Sequence, residues 1–206
     1  MTPDQIRRLF AGTTLEDATA GMVLPPGSDE WPQEWLDLVE GELRQAGVLV
    51  PLLQRDEGLT VLLTQRSAHL KHHASQVSFP GGSQESQDAS IEATALRETH
   101  EEVGISPHFV TVAGYMPTMP TITGYAVTPI IGVLENPPEL VIDRSEVDYA
   151  FEVPLEFLLD SRNDRAVERN VFGKNYVLTE FHWEGQRIWG ATAYMILAFR
   201  ELVLNQ

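Results

Sequence analysis

The stretch Arg97-Glu98-Thr99-His100-Glu101-Glu102-Val103-Gly104-Ile105 (RETHEEVGI, residues 97–105) decides how this chain folds. At about 100° per residue, Glu98, Glu101 and Glu102 share one sector of a helix, so their carboxylates project into one place. Like charges held this close raise one another's pKa, whereas a divalent cation reverses the penalty and supplies the ion that oxygen ligands favour. The plainer alternative is a solvated acidic face on which Arg97 pairs with Glu101 at i,i+4. Upstream, Gly81 and Gly82 predict a tight loop in which the backbone approaches a phosphate closely. Asp88 and Ser90 are both candidate N-caps, and Gly104 suits a left-handed C-cap. The segment thus reads as loop, helix over about 89–103, and cap.

The full run PGGSQESQDASIEATALRETHEEVGI resembles the Nudix box: Gly, five residues, Glu, seven residues, Arg-Glu, an aliphatic residue, any residue, Glu-Glu, any residue, Gly and an aliphatic residue. From Gly82, five residues lead to Asp88 in place of Glu, eight rather than seven precede Arg97, and Thr99 fills an aliphatic position. Leu62 to Gly82, LLTQRSAHLKHHASQVSFPGG, is similar to the signature that precedes the box in coenzyme A pyrophosphatases, with Lys71 at an Arg position and Ser75 at a Gly position. Lysine keeps the charge of arginine but lacks its planar fork. The order of flanking elements also resembles a bacterial member of that group.

Composition narrows the partners. Thirty acidic residues against fourteen Lys and Arg give a net charge of −16, which repels nucleic acid and anionic membrane surfaces. The same charge opposes an anionic substrate, yet no acidic residue lies between Glu57 and Glu85, where Arg66, His69, Lys71, His72 and His73 fall. Over a screening length of about 8 Å, that segment outweighs distant charge. Arg66 and Lys71 are therefore candidates for a phosphate, against a reading in which they only end a strand. The absence of cysteine excludes disulfides, thiolate metal sites and cysteine nucleophiles, and counts against an isopentenyl diphosphate isomerase. The start, MTPDQIRRLF, lacks a secretory pattern, and Arg200 and Glu201 interrupt the apolar run 191–204, so a cytoplasmic location is expected.

Thr2-Pro3-Asp4 predicts a helix over 3–10, and Trp35, Leu36, Val39 and Leu43 a second one ending near Gly47. Residues 1–46 read as a helical extension that is not an independent domain, and 47–206 as the catalytic domain. Strands are expected over 48–53, 60–64, 110–116 and 126–134. The linking PTMPTITGY is either a plain connector or a pocket wall. Val147, Tyr149, Phe151 and Val153 alternate as a strand before Pro154 opens a short helix. A hairpin across Phe172-Gly173-Lys174 and a final helix from Gly190 follow, while Trp189 reads as a core aromatic. This pattern predicts a mixed sheet covered by helices.

The resemblance implies more: a Nudix α/β/α sandwich and hydrolysis of a nucleoside diphosphate linked to another group. It implies Mg2+ or Mn2+ held by Glu98, Glu101 and Glu102, with Arg97 orienting them. In coenzyme A the products are 3′,5′-ADP and 4′-phosphopantetheine. Nudix enzymes differ in their general base, and Glu146, beside the alternating strand, is the distant candidate. The rivals are another nucleoside diphosphate (a nucleotide sugar, ADP-ribose, an oxidised nucleotide) or a catalytically silent, nucleotide-sensing domain. The partner expected is a small diphosphate, with homodimerisation left open.

Overall fold

The computed structural model describes residues 1–24, 28, 31–69, 75–171 and 174–205 of the 206. In chain order, helices α1 (Pro3–Phe10), α2 (Leu15–Thr19) and α3 (Gln33–Glu40) precede strands β1 (Arg44–Arg55), β2 (Gly58–Arg66), β3 (Val77–Ser78) and β4 (Gly81–Ser83). Then come α4 (Ile91–Val103), β5 (Thr111–Tyr115), β6 (Met119–Thr121), β7 (Tyr125–Leu134), β8 (Val147–Pro154) and α5 (Leu155–Leu159). The chain closes with β9 (Arg165–Val171), β10 (Lys174–Trp183), β11 (Gln186–Ile188) and α6 (Gly190–Leu204).

A parallel pair lies at the centre: β1 runs beside β7 from Arg44↔Tyr125 to Leu53↔Leu134. The other pairings of this eight-stranded sheet are antiparallel. Strand β2 pairs with β1 only over Gly58–Val61, and beyond that point the two splay apart. Because β8 occupies the other edge of β2 and β7 the other edge of β1, the segment 77–83 must fill the fork, with β3 on β2 and β4 on β1. Pro80 sits where the segment crosses from one arm to the other, and its carbonyl accepts from Leu49 N–H at 2.9 Å.

Strand alternation sorts the core into two faces. Leu49 and Ile130 face Ile91 and Ala95 of α4, while Leu53, Leu62 and Leu134 pack with Val103 and Ile105 at its C-terminal end. On the opposite face Val50, Leu52, Leu63 and Ile131 join Ile6 and Phe10 of α1, Leu155 and Leu158 of α5, and Ile196 and Phe199 of α6. Helices therefore cover both faces, which is the α/β/α sandwich. A three-stranded sheet, β11-β10-β9, adds Phe181 and Ile188 to the second face. Among the described residues, no helix is long and apolar enough to cross a membrane.

The structure departs from the sequence reading in places. The second helix stops at Glu40 instead of near Gly47, because Arg44 to Gly47 pair with Tyr125 to Thr128. Glycine at position 47 is enforced: a Cβ there would lie 2.4 Å from the Ile91 carbonyl of α4. Gly81 and Gly82 belong to strand β4, not to a loop. The PTMPTITGY segment contains β6, a hairpin partner of β7. Trp189 is half-buried at the start of α6, with the Arg187 guanidinium 4.8 Å above its ring, and is not a core residue.

Candidate active site

Helix α4 begins where Ser90 Oγ accepts from Ala93 N–H and ends where Gly104, at φ +75°, donates its N–H to His100 O. Its buried face is Ile91, Thr94, Ala95, Thr99, Glu102 and Val103. Thr99 is a polar residue in an aliphatic position. Its hydroxyl donates to Ala95 O at 2.6 Å, so it is buried without an orphaned group.

Glu102 is only 1% exposed, and its two oxygens face different donors: Arg66 Nη1 to Oε1 at 3.3 Å and Gly81 N–H to Oε2 at 3.2 Å. The Glu98 carboxylate lies over Gly82, where a Cβ would come within 2.5 Å of it. The fork segment and α4 thus hold each other through backbone and carboxylate. Arg97 organises the outer rim, gripping Asp88 bidentately at 2.9 Å for both bonds. Its Nη1 reaches Glu98 at 3.1 Å and Glu101 at 2.8 Å.

These partners set the charge states. Burial pushes Glu102 up to about 8, against the pull of Arg66 and the Gly81 amide. Burial also raises Glu98, although Arg97 pulls it down. The Glu146 carboxylate adds repulsion to both, which brings it into electrostatic reach of the cluster. The loop carrying Glu146 is fixed by backbone bonds, Asp143 N–H to Glu102 O at 3.0 Å and Ser67 N–H to Glu146 O at 2.8 Å. Asp88 behaves oppositely: the Arg97 bonds hold its carboxyl well below the usual carboxylate range.

The structure therefore brings Arg66, Gly81, Gly82, Arg97, Glu98, Glu101, Glu102 and Glu146 into one region. Lys71, His72 and His73 lie outside the described residues. Sequence reasoning treated Asp88 as a cap and missed that it anchors Arg97, though its place at the box's Glu position was the signal. It also missed what Ser75 does. Ser75 stands at φ +58°, in the left-handed region that favours the glycine of the signature, and donates its N–H to Arg66 O.

A hard divalent ion suits the donor set, since buried carboxylates that repel one another gain most from a shared cation. Among the described residues no trio of acidic or imidazole side chains forms a ready-made cation cage, because Glu98 and Glu101 turn toward Arg97.

The α/β/α sandwich sets the helix-borne carboxylates of α4 against a forked sheet. A family model for the NUDIX domain matches residues 43–173. The protein called "Uncharacterized Nudix hydrolase NudL" from Shigella boydii serotype 4 (strain Sb227) is 44% identical over 165 residues, 79% of this chain and 82% of its own. Its namesake from Enterobacter sp. (strain 638) is 41% identical, with the same coverage. A MutT/nudix family protein from Enterococcus faecalis superimposes with a TM-score of 0.50 at 18% identity, over 79% of this chain and 63% of that one, a likeness of fold alone. The chain belongs to the Nudix hydrolase family and is an enzyme of the pyrophosphohydrolase kind.

Proposed function

We propose that the enzyme hydrolyses the diphosphate linkage of coenzyme A or an acyl derivative, releasing 3′,5′-ADP and 4′-phosphopantetheine or its acyl form. One observation carries this reading: the pyrophosphatase-like signature, Leu62 to Gly82, contains the end of β2, one arm of the sheet fork, and the β3–β4 filling that abuts Glu98 and Glu102. A sequence feature that points to coenzyme A thus runs into the wall of the catalytic cluster. The acid-free segment, with Arg66, His69 and Lys71, lowers the local repulsion that a −16 chain presents to a polyanion.

Glu98, Glu101 and Glu102 would hold magnesium or manganese. When bound, the ion neutralises charge on the diphosphate oxygens and makes water a better nucleophile at neutral pH. The chain's own residues do the rest. Arg97, fixed by Asp88, sets the orientation of Glu98 and Glu101. The Gly81 amide and Arg66 hold Glu102. Glu146, half-buried beside the cluster, takes the proton of the attacking water as the phosphorus–oxygen bond of the diphosphate breaks.

Mass analysis of products from coenzyme A in 18O water tests the proposal, with one 18O expected in a single product. Brisk cleavage of a nucleotide sugar, ADP-ribose or an oxidised nucleotide with coenzyme A untouched would overturn the substrate and leave the family. Nucleotide binding without turnover in excess magnesium would mark a silent sensing domain.

A further inference from the structure

We propose that Arg66 is a positioning residue that holds Glu102 in place, and that it does not read a phosphate of the substrate. A guanidinium grips a phosphate with two parallel bonds, either through Nε and one Nη or through both Nη atoms. Among the described residues Arg66 Nε is sealed from solvent without a hydrogen-bond partner, and Nη1 donates to Glu102 Oε1 at 3.3 Å. The Nε edge is therefore enclosed, and Nη1 turns one of its two N–H groups to Glu102, which ties the outer edge to the carboxylate.

The backbone explains why this side chain turns inward. The β2–β8 register shifts between Gln65 and Arg66, a bulge of the kind that re-aims one side chain. Both backbone groups of Arg66 are pinned: its N–H donates to Gln76 O at 2.9 Å and its carbonyl accepts from Ser75 N–H at 3.1 Å. One residue on, Ser67 N–H holds the Glu146 carbonyl. Residues 66 and 67 thus tie the box glutamate and the candidate base to one strand end. The inference rests on the role of Glu102 as a metal-holding carboxylate, not on the identity of the substrate.

The test uses the full-length chain with Arg66→Met and Arg66→Lys. Mn2+ is titrated without substrate by electron paramagnetic resonance, and kcat and KM are measured for coenzyme A and 3′-dephospho-coenzyme A. R66M is expected to weaken Mn2+ binding at least threefold. It should also lower kcat on both substrates by the same factor, leaving their kcat/KM ratio within twofold of the unmutated enzyme. R66K, which keeps a donor to Glu102, recovers part of the Mn2+ affinity. Unchanged or tighter Mn2+ binding, or a loss on coenzyme A at least tenfold greater than on the 3′-dephospho form, overturns the inference. If R66M does not fold, R66L is read in the same way. Should the unmutated enzyme cleave neither compound, the substrate reading fails while the Mn2+ titration still decides the role of Arg66.

Discussion

Two ionic clusters in this molecule are built from the same chemistry in opposite proportions. At α4, Arg66 and Arg97 serve four carboxylates, Asp88, Glu98, Glu101 and Glu102. On the small sheet, the carboxylate of Glu180 is shared by Arg169 at 2.9 Å, Arg187 at 2.5 Å and His182 at 3.4 Å. Glu102 and Glu180 are each 1% exposed, so burial alone does not distinguish them. Their charge states do: Glu102 is pushed up to about 8 by burial, whereas the Arg187 bonds lead in bringing Glu180 down to about 2. A buried carboxylate with surplus cations is finished structure. One in a cluster short of cations is where the proposed metal would supply the missing charge.

The sharpest break between the clusters is Glu102→Gln against Glu180→Gln. On the proposed metal role, E102Q removes a metal-holding charge while keeping its shape, and a loss of several kcal/mol of transition-state stabilisation corresponds to about a thousandfold in kcat. Its melting temperature should shift little, since the cost of burying a carboxylate is gone while the amide NH2 faces one of the two donors, Arg66 or the Gly81 N–H. Retained turnover at saturating substrate and ordinary magnesium would remove Glu102 from the metal set.

Next in size is Glu146→Gln, which should lower kcat by about a hundredfold with little change in Mn2+ affinity. If Glu146 is the base, the acidic limb of the pH–rate profile is lost with it. An unaltered profile would return Glu146 to the role of a neighbouring charge.

E180Q should act on stability instead, costing about 2 kcal/mol as charge-assisted bonds are lost, with turnover of the folded protein kept. The sign in pH follows from the lowered value. Stability from Glu180 is fully present above its ordinary pKa of 4.5 and is lost as pH falls through about 2. Thermal melts of the unmutated enzyme should therefore lose ground to E180Q between pH 4.5 and 2. Parallel curves would mean that the Glu180 network contributes nothing to folding.

The α4 cluster was far more legible than the small sheet, for a physical reason. Its glutamates sit at i, i+3 and i+4, a relation that helix geometry fixes locally, and Gly104 ends that helix through its own φ. Glu180 is surrounded through strand pairing, with His182 opposite Arg187 across β10 and β11, a register that depends on the turn at Glu184-Gly185. Strand β1 begins earlier than its apolar pattern because Arg44 and Gln45 pair with Tyr125 and Ala126 of β7, some eighty residues away. Asp88 likewise acquires its meaning nine residues downstream, at Arg97. What depended on spacing along one element could be read, and what depended on two elements meeting could not.

The smallest expected effect concerns Ser75, which joins these levels. A residue with a side chain in the left-handed region costs roughly 1–2 kcal/mol relative to the right-handed one, and glycine escapes that cost. Ser75 is held there at φ +58° by the turn that returns its N–H to Arg66 O. Glycine at this position removes the strain but widens the unfolded ensemble, which takes back about half of the gain. Ser75→Gly should thus stabilise the fold by about 0.5 kcal/mol, read as a small rise in the chemical denaturation midpoint at constant slope. Because the turn pins the backbone of Arg66, Mn2+ affinity should not fall. A destabilised S75G would show that the Ser75 side chain contributes more than its backbone strain takes away, and that serine is here by preference.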